Sequence, residues 1–430
     1  MKYFVLADFC VSYILFFIFP SKRAVISAIA SAILALAGIL RAEFPITQTL
    51  VWINWNVLGI FIGTLILAEL FIYSRAPAVL AEHMVNHTRY VGTAIFFICI
   101  LGSLISAFVE NVATVLIVAP IAFAICKKVK VNPTLAIIGI AIASNLQGTA
   151  TLIGDPPSMI LAGYAKMNFN DFFLYHGKPG IFFAVQVGSI FSYLVLWLFF
   201  RKNNMEVTLE KTEQVKTWFP VFLILLMIVL LAVSSLFDPD FGFFAGMTCM
   251  ILGFIGFCWY ALREEKSIKG FFSMIDWETS VFLICIFILV GALTEFGWVD
   301  AIARGLIGLI GQHKFLAFAT IVLGSVMISA VVDNVPYLAA MIPVVQKMAD
   351  AMSAHGGTSE DRTLLLFGLL IGACLGGNIT PIGASANIVG VGMLKKNGYE
   401  VSFGEFVKMG LPFTLAAVIP SSIFIWLVWT

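Results

Sequence analysis

The chain is 430 residues long, 61% hydrophobic and only 11% charged, with a mean hydropathy of +1.02. A soluble domain carries about 25% charged residues, so a water-exposed globular surface is excluded. A net charge of +1 also leaves no electrostatic basis for nucleic-acid binding.

A bilayer-spanning helix takes about 20 mostly apolar residues, and the sequence supplies many such stretches. Tyr3–Phe19 is the first. No small-residue cleavage site stands before Pro20, so it reads as a retained span and not as a signal peptide. Ala24–Leu40, Ile53–Tyr73, Leu135–Lys166 (broken in its middle) and Gly180–Phe200 follow. A second set comprises Phe219–Phe237, Phe243–Leu262, Trp277–Phe296, Leu364–Leu394 (again broken) and Leu411–Trp429. Between the third and fourth span of each set, an apolar stretch is interrupted by a polar tip. These are Tyr90–Lys128 around Glu110-Asn111 and Phe315–Lys347 around Asp333-Asn334. Each is long enough for two half-depth helices joined at a turn, a re-entrant hairpin. The expected organisation is a first half, 1–200, a cytoplasmic linker, 201–217, and a second half, 218–430. In each half three spans (3–73 and 219–296) precede the hairpin (90–128 and 315–347), and the broken and last spans follow (133–200 and 364–430).

The two halves are copies. Ile53-Asn54-Trp55-Asn56 matches Ile275-Asp276-Trp277-Glu278, displaced by 222. SAFVENVATVLIVAPI from Ser106 matches SAVVDNVPYLAAMIPV from Ser329, displaced by 223, and QGTATLIGDPPS from Gln147 matches GGNITPIGASAN from Gly376, displaced by 229. Five spans and a hairpin per half is an odd number of crossings, so the copies are expected to lie upside down relative to each other, as in secondary transporters.

Basic residues bias loops to the cytoplasm. With both termini outside, 17 of the 25 Lys and Arg fall on inner loops, Lys22, Arg23, Lys211, Lys266 and Lys269 among them. Eight fall outside, and none enters the bilayer core. The first hairpin then enters from the cytoplasm and the second from outside.

Acidic residues behave differently. Asp8, Glu69, Glu110, Asp155 and Asp333 lie in or beside apolar stretches with no Lys or Arg to pair with. A charge at the bilayer centre costs at least ~2.5 kcal/mol, so such carboxylates should be protonated, hold a cation or face water. Glu110 and Asp333 occupy equivalent hairpin tips, where they can also cap the following helix. Asp8 and Glu69 have no repeat partner and read as capping or solvated groups.

The breaks form a second constellation. Glycines and the adjacent Pro156-Pro157 stop the helix between Ser144 and Pro157, and Asp155 is placed to N-cap its restart. Gly376 to Asn387 keeps Gly, Pro and Ser for the same purpose. Unwound backbone at membrane depth is tolerated only where it is buried or lines a cavity. Its free carbonyls with Asn, Thr and Ser side chains suit a small hard cation, and the half-helix N-termini suit an anion.

The seven cysteines are scattered without CxxC or metal-ligand spacing, and the five histidines sit in polar gaps, which opposes a resident metal centre. No GxSxG, HExxH or P-loop pattern occurs, so an intramembrane enzyme is not expected.

GACLGGNITPIGASANIVGVGMLKKNGYEVSFGEF from Gly372, VVDNVPYLAAMIP from Val331 and TATLIGDPPSMI from Thr149 closely resemble the P protein (pink-eyed dilution) branch of the arsenite and sodium/proton permease group, ArsB/NhaD. That group belongs to the ion transporter superfamily, which also holds the divalent anion/sodium symporters. The resemblance implies a homodimer in which the first three spans of each half form a scaffold, while hairpins, broken spans and last spans move as an elevator. The symporters' Ser-Asn-Thr hairpin signature becomes Glu110-Asn111-Val112 and Asp333-Asn334-Val335. An added carboxylate at each tip repels a divalent anion by ~4 kcal/mol per unit pair at 4 Å, which favours proton or cation coupling.

The expected protein is an all-α polytopic transporter of the inner or plasma membrane, with about ten spans in two inverted repeats. It has no cofactor, and Na+ or H+ is its coupling ion. Glu110, Asn111, Asp333, Asn334 and Asp155 would be the coupling sites, with any Na+ held only transiently at the hairpin tips. Asn145, Gly148, Thr149, Thr151, Gly377, Asn378, Thr380, Ser385 and Asn387 would line the pocket for a small ion or anion. An uncoupled anion channel is the alternative.

Overall fold

The computed structural model describes residues 1–206, 214–264, 275–310, 313–353 and 359–430. Lys211, Lys266, Lys269 and part of the expected linker, 207–213, lie outside the described residues. In the first half, helices α1 (Lys2–Ile18), α2 (Arg23–Leu40), α3 (Ile46–Trp52), α4 (Trp55–Ser74) and α5 (Ala76–Asn86) precede the hairpin arms α6 (Val91–Ser106) and α7 (Asn111–Lys128). The broken pair α8 (Thr134–Gly148) and α9 (Pro156–Ala165) and then α10 (Ile181–Phe200) complete it. The second half runs α11 (Phe219–Ser234), α12 (Phe244–Glu264), α13 (Trp277–Glu295), α14 (Trp298–Ile310), arms α15 (Lys314–Ser329) and α16 (Asn334–Ser353), broken pair α17 (Ser359–Gly376) and α18 (Ser385–Lys396), and α19 (Phe403–Trp429).

Eight of the described helices are long and apolar enough to cross a bilayer. Those on the periphery turn an apolar face outward: Val25, Ile29, Ile33, Leu36 and Leu40 are exposed along α2. Lipid is the solvent such a face requires. Inter-helix packing depends on small residues, as it does in membranes generally. On α4, a Cβ at Gly63 would lie 2.3 Å from the Cys249 backbone of α12.

Three differences from the sequence expectation stand out. The hairpin arms contain 16, 18, 16 and 20 residues, about 24–30 Å at 1.5 Å per residue. They are therefore longer than half-depth helices, and α7 alone is long and apolar enough to cross. Helices α3, α5 and α14 were not expected; each is a short element that a search for 20-residue apolar runs passes over. The last helix begins at Phe403, two turns before Leu411, because Ser402 accepts a hydrogen bond from the Glu405 N–H and caps it.

The helices that lead into the two breaks are deeply enclosed. Almost every residue of α8 is buried, and 89% of the apolar window in α17 is. The interior of the protein is thus built around the two helices that run into the breaks.

Candidate ion and substrate site

Each break is laced to the hairpin tip of its own half. Thr151 Oγ1 donates to the Ala107 carbonyl, and Thr380 Oγ1 donates to the Ala330 carbonyl. The approach is close enough to require glycine. A Cβ at Gly154 would lie 2.5 Å from the Gly148 carbonyl oxygen and 2.7 Å from that of Ser106, and at Gly383 it would lie 2.6 Å and 2.8 Å from those of Gly377 and Ser329. Repeat-related residues therefore make the same contacts twice. The result brings the N-termini of α7, α9, α16 and α18 into one region.

Carboxylates stand at three of these N-termini. Glu110 caps α7, accepting from the Ala113 N–H at 2.9 Å, and Asp333 Oδ1 accepts from the Val335 N–H at 2.9 Å. Asp155 occupies the N-cap position of α9 in extended conformation but makes no side-chain cap bond, contrary to expectation. The cause is local: Pro156 and Pro157 have no N–H to offer, and the Ser158 N–H is taken by the Asp155 backbone carbonyl. Asp155 Oδ2 is left buried without a protein partner.

Behind the carboxylates, asparagines join the halves. Asn111 Nδ2 donates to Asn145 Oδ1 at 3.0 Å, and Asn145 Nδ2 donates to the Cys374 carbonyl and Asn378 Oδ1, each at 2.9 Å. Asn387 Nδ2 donates to the Gly377 and Thr380 carbonyls at 3.0 and 2.9 Å. Several buried polar atoms here have no protein partner, among them Asn111 Oδ1, Asn334 Nδ2 and Asn387 Oδ1. An unmatched buried polar group costs about 1–3 kcal/mol, and such groups concentrate where a ligand or ion completes the set.

A cavity of about 370 Å³ opens in front of this layer. Of the residues expected at the site, Glu110, Asn111, Asp155, Asn334 and Ser385 line it. Asn145, Gly148, Thr149, Thr151, Gly377, Asn378, Thr380 and Asn387 are not on its wall. They form the supporting layer, with Thr149 Oγ1 donating to the Asn145 carbonyl at 3.2 Å. Asp8 and Glu69 do not line the cavity.

Arg23, Asp276, Glu278 and Thr279 also line it, and sequence reasoning missed all four. Arg23 corrects the expectation that Asp333 has no basic partner. Its Nη1 forms an ion pair with Asp333 Oδ2 and donates to Ser385 Oγ at 3.2 Å, while Nη2 reaches Thr279 Oγ1 at 3.4 Å. The guanidinium also lies over the Phe282 ring, 5.2 Å from its centroid. A short 3-10 turn at Pro20–Lys22 separates α1 from α2 and makes Arg23 the first residue of α2, not a loop residue. The partners are 310 positions apart, beyond any local pairing rule. For Asp276 a signal was available: Asn54 and Asn56 of the first half become Asp276 and Glu278 in the second, a gain of two charges within an otherwise matched motif.

Helical hairpins, paired broken helices and a polar cavity between them define a multi-pass membrane transporter. The citrate transporter family model (CitMHS) matches residues 13–360, and the chain belongs to that family. An uncharacterized transporter of Mycobacterium tuberculosis is 30% identical over 384 residues, covering 87% of this chain and 86% of that protein. The P protein of Mus musculus is 26% identical over 479 residues, covering 93% of this chain and 57% of the mouse protein. Among solved structures, the YdaH transporter of Alcanivorax borkumensis superposes with a TM-score of 0.62 at 15% identity, covering 90% of this chain and 88% of that one. At that identity the likeness concerns the fold.

Proposed function

We propose that the protein is an ion-coupled secondary transporter working by alternating access, which moves an inorganic or organic anion or exchanges Na+ for H+. Support comes from one feature above the rest: Glu110 and Asp155, repeat-related breaks and hairpin tips, and unmatched buried amides all meet at a single cavity. Glu110 and Asp333 are the coupling carboxylates, with Asp333 acting through Arg23. A multiply charged anion such as citrate, which the family's description brings forward, meets repulsion of about 4 kcal/mol per unit charge pair at 4 Å. It enters together with Na+ or H+ that neutralises these groups. Helices α2, α4 and α13 serve as scaffold, and hairpins and breaks move against them, within a homodimer. With the basic loops cytoplasmic, the mouth beside Asp276 and Glu278 faces the cytoplasm.

The test uses purified protein in liposomes with an internal pH indicator, imposed Na+ and H+ gradients, and labelled citrate or phosphate. Wild type is expected to link a cation gradient to proton or anion flux, and Glu110→Gln and Asp333→Asn to change that linkage. Unchanged coupling in both variants would remove these carboxylates from the mechanism.

A further inference from the structure

The two halves share a backbone plan but present opposite chemistry at the restart of their broken helices. In the first half the residues are Asp155-Pro156-Pro157, a carboxylate without a cap bond followed by two residues lacking an N–H. At the positions displaced by 229, the second half has Ala384-Ser385-Ala386. Ala384 is the N-cap of α18 and carries no capping oxygen; its backbone carbonyl takes the Asn387 N–H, so the donors left at that terminus are the N–H groups of Ser385 and Ala386. A helix N-terminus with free donors attracts negative charge. Two further groups point the same way. Asn334 Nδ2, on a residue that is 3% exposed and lines the cavity, is a buried donor without a partner. Arg23 is the one basic side chain on the cavity wall among the described residues.

We propose that the carboxylate or oxoanion group of the transported substrate binds in the second half, on Arg23, Asn334 Nδ2 and the N-terminus of α18, by taking the place of Asp333 on the Arg23 guanidinium, while the coupling cation is received by Glu110, with Asp155 beside it, and by the released Asp333. This rests on the transporter reading of the cavity and names its substrate class and subsite. Asp333 is itself a carboxylate seated where the substrate would sit, which shows that the position accepts that geometry. Arg23 lines both the cavity and a smaller pocket beside it on which Asp333 lies, and the side chains of the pair are 15% and 13% exposed. Arg23 Nη2 is held only by the 3.4 Å contact to Thr279 and keeps donor capacity for an anion. The Thr279 hydroxyl is already donated to Asp276 Oδ2 at 2.6 Å, so it accepts from Arg23 and does not compete for an anion. Glu110, Asp155, Asp276 and Glu278 share the cavity wall with Arg23; in their ionised forms they repel an anion held there, so a cation or proton that neutralises them is a physical source of coupling.

The test measures anion binding separately from transport. The full chain, purified in detergent at constant ionic strength, is titrated with sulfate, citrate and phosphate while its melting temperature is followed. Wild type is expected to be stabilised by at least one of these anions. Arg23→Gln and Asn334→Ala should weaken the response about tenfold or more, with Arg23→Lys intermediate, as expected on losing charge-assisted or paired donors. Asp333→Asn should bind several-fold more tightly, because the internal competitor has lost its charge. That gain separates the proposal from a purely structural ion pair, whose loss could only weaken the protein. Wild type indifferent to all three anions, Arg23→Gln responding as wild type, or Asp333→Asn failing to bind more tightly would each overturn it. Arg23-dependent binding without flux in liposomes would sustain this subsite and overturn the transporter reading. Flux with an unaltered anion response in Arg23→Gln would do the reverse.

Discussion

Asn145 shows how much of the site depends on single amides. It is fully buried and makes three hydrogen bonds, one to the first-half tip and two to the second-half break. Replacing it with alanine strands the Asn111 amide, the Cys374 carbonyl and the Asn378 amide oxygen, each a buried group that costs about 1–3 kcal/mol when left unmatched. Asn145→Ala should therefore destabilise the protein by at least about 2 kcal/mol, measured as a lowered unfolding temperature in detergent. At this scale the sequence made some residues visible and hid others. Glu110 and Asp155 stand out because each is a carboxylate in an apolar run at a hairpin tip or a helix break. Arg23 was hidden because its role arises only when α2 meets a hairpin tip from the other half. The division between wall and supporting layer was hidden as well: Thr151 and Thr380 look like ligands in sequence, but each donates its hydroxyl hydrogen to a tip carbonyl.

At the scale of elements, the breaks are held in place by glycine backbone packed against backbone. Gly154→Ala and Gly383→Ala each put a methyl within 2.5–2.6 Å of a carbonyl oxygen, so tip and break must separate. Both variants should lose transport and melt at lower temperature. Gly392→Ala provides the contrast, since nothing lies within 4 Å of its Cβ and alanine in a helix is favoured over glycine by roughly 0.5–1 kcal/mol. That variant should retain or slightly gain thermal stability. The breaks were legible because Gly and Pro oppose helix for stated steric reasons. The linking helices α5 and α14 were not, because at 11 and 13 residues they are too short for a hydropathy criterion tuned to spans. Their punctuation was nevertheless present: Pro77 within the first turn of α5, and Gly297 at φ +74 just before α14.

On the scale of the whole molecule, the scarcity of charge acquires an arrangement. Four carboxylates and one guanidinium line a single cavity, while apolar faces surround it on helices such as α2. If the basic loops set the orientation, both termini lie on the outer side. Single cysteines introduced at Lys2 and at Thr430 of a variant lacking the native thiols should react with a membrane-impermeant maleimide added to intact cells, and labelling of only one would refute that topology. The central claim is that this cavity belongs to a coupled carrier, and the most direct test is concentrative uptake. Proteoliposomes carrying the purified protein are given equal labelled citrate on both sides and an inward Na+ or H+ gradient. A carrier accumulates citrate above its external concentration, loses that accumulation when ionophores collapse the gradients, and fails to accumulate with Glu110→Gln. Label that stays equal on both sides under every cation gradient, in protein that conducts the anion down an imposed voltage, would contradict the account.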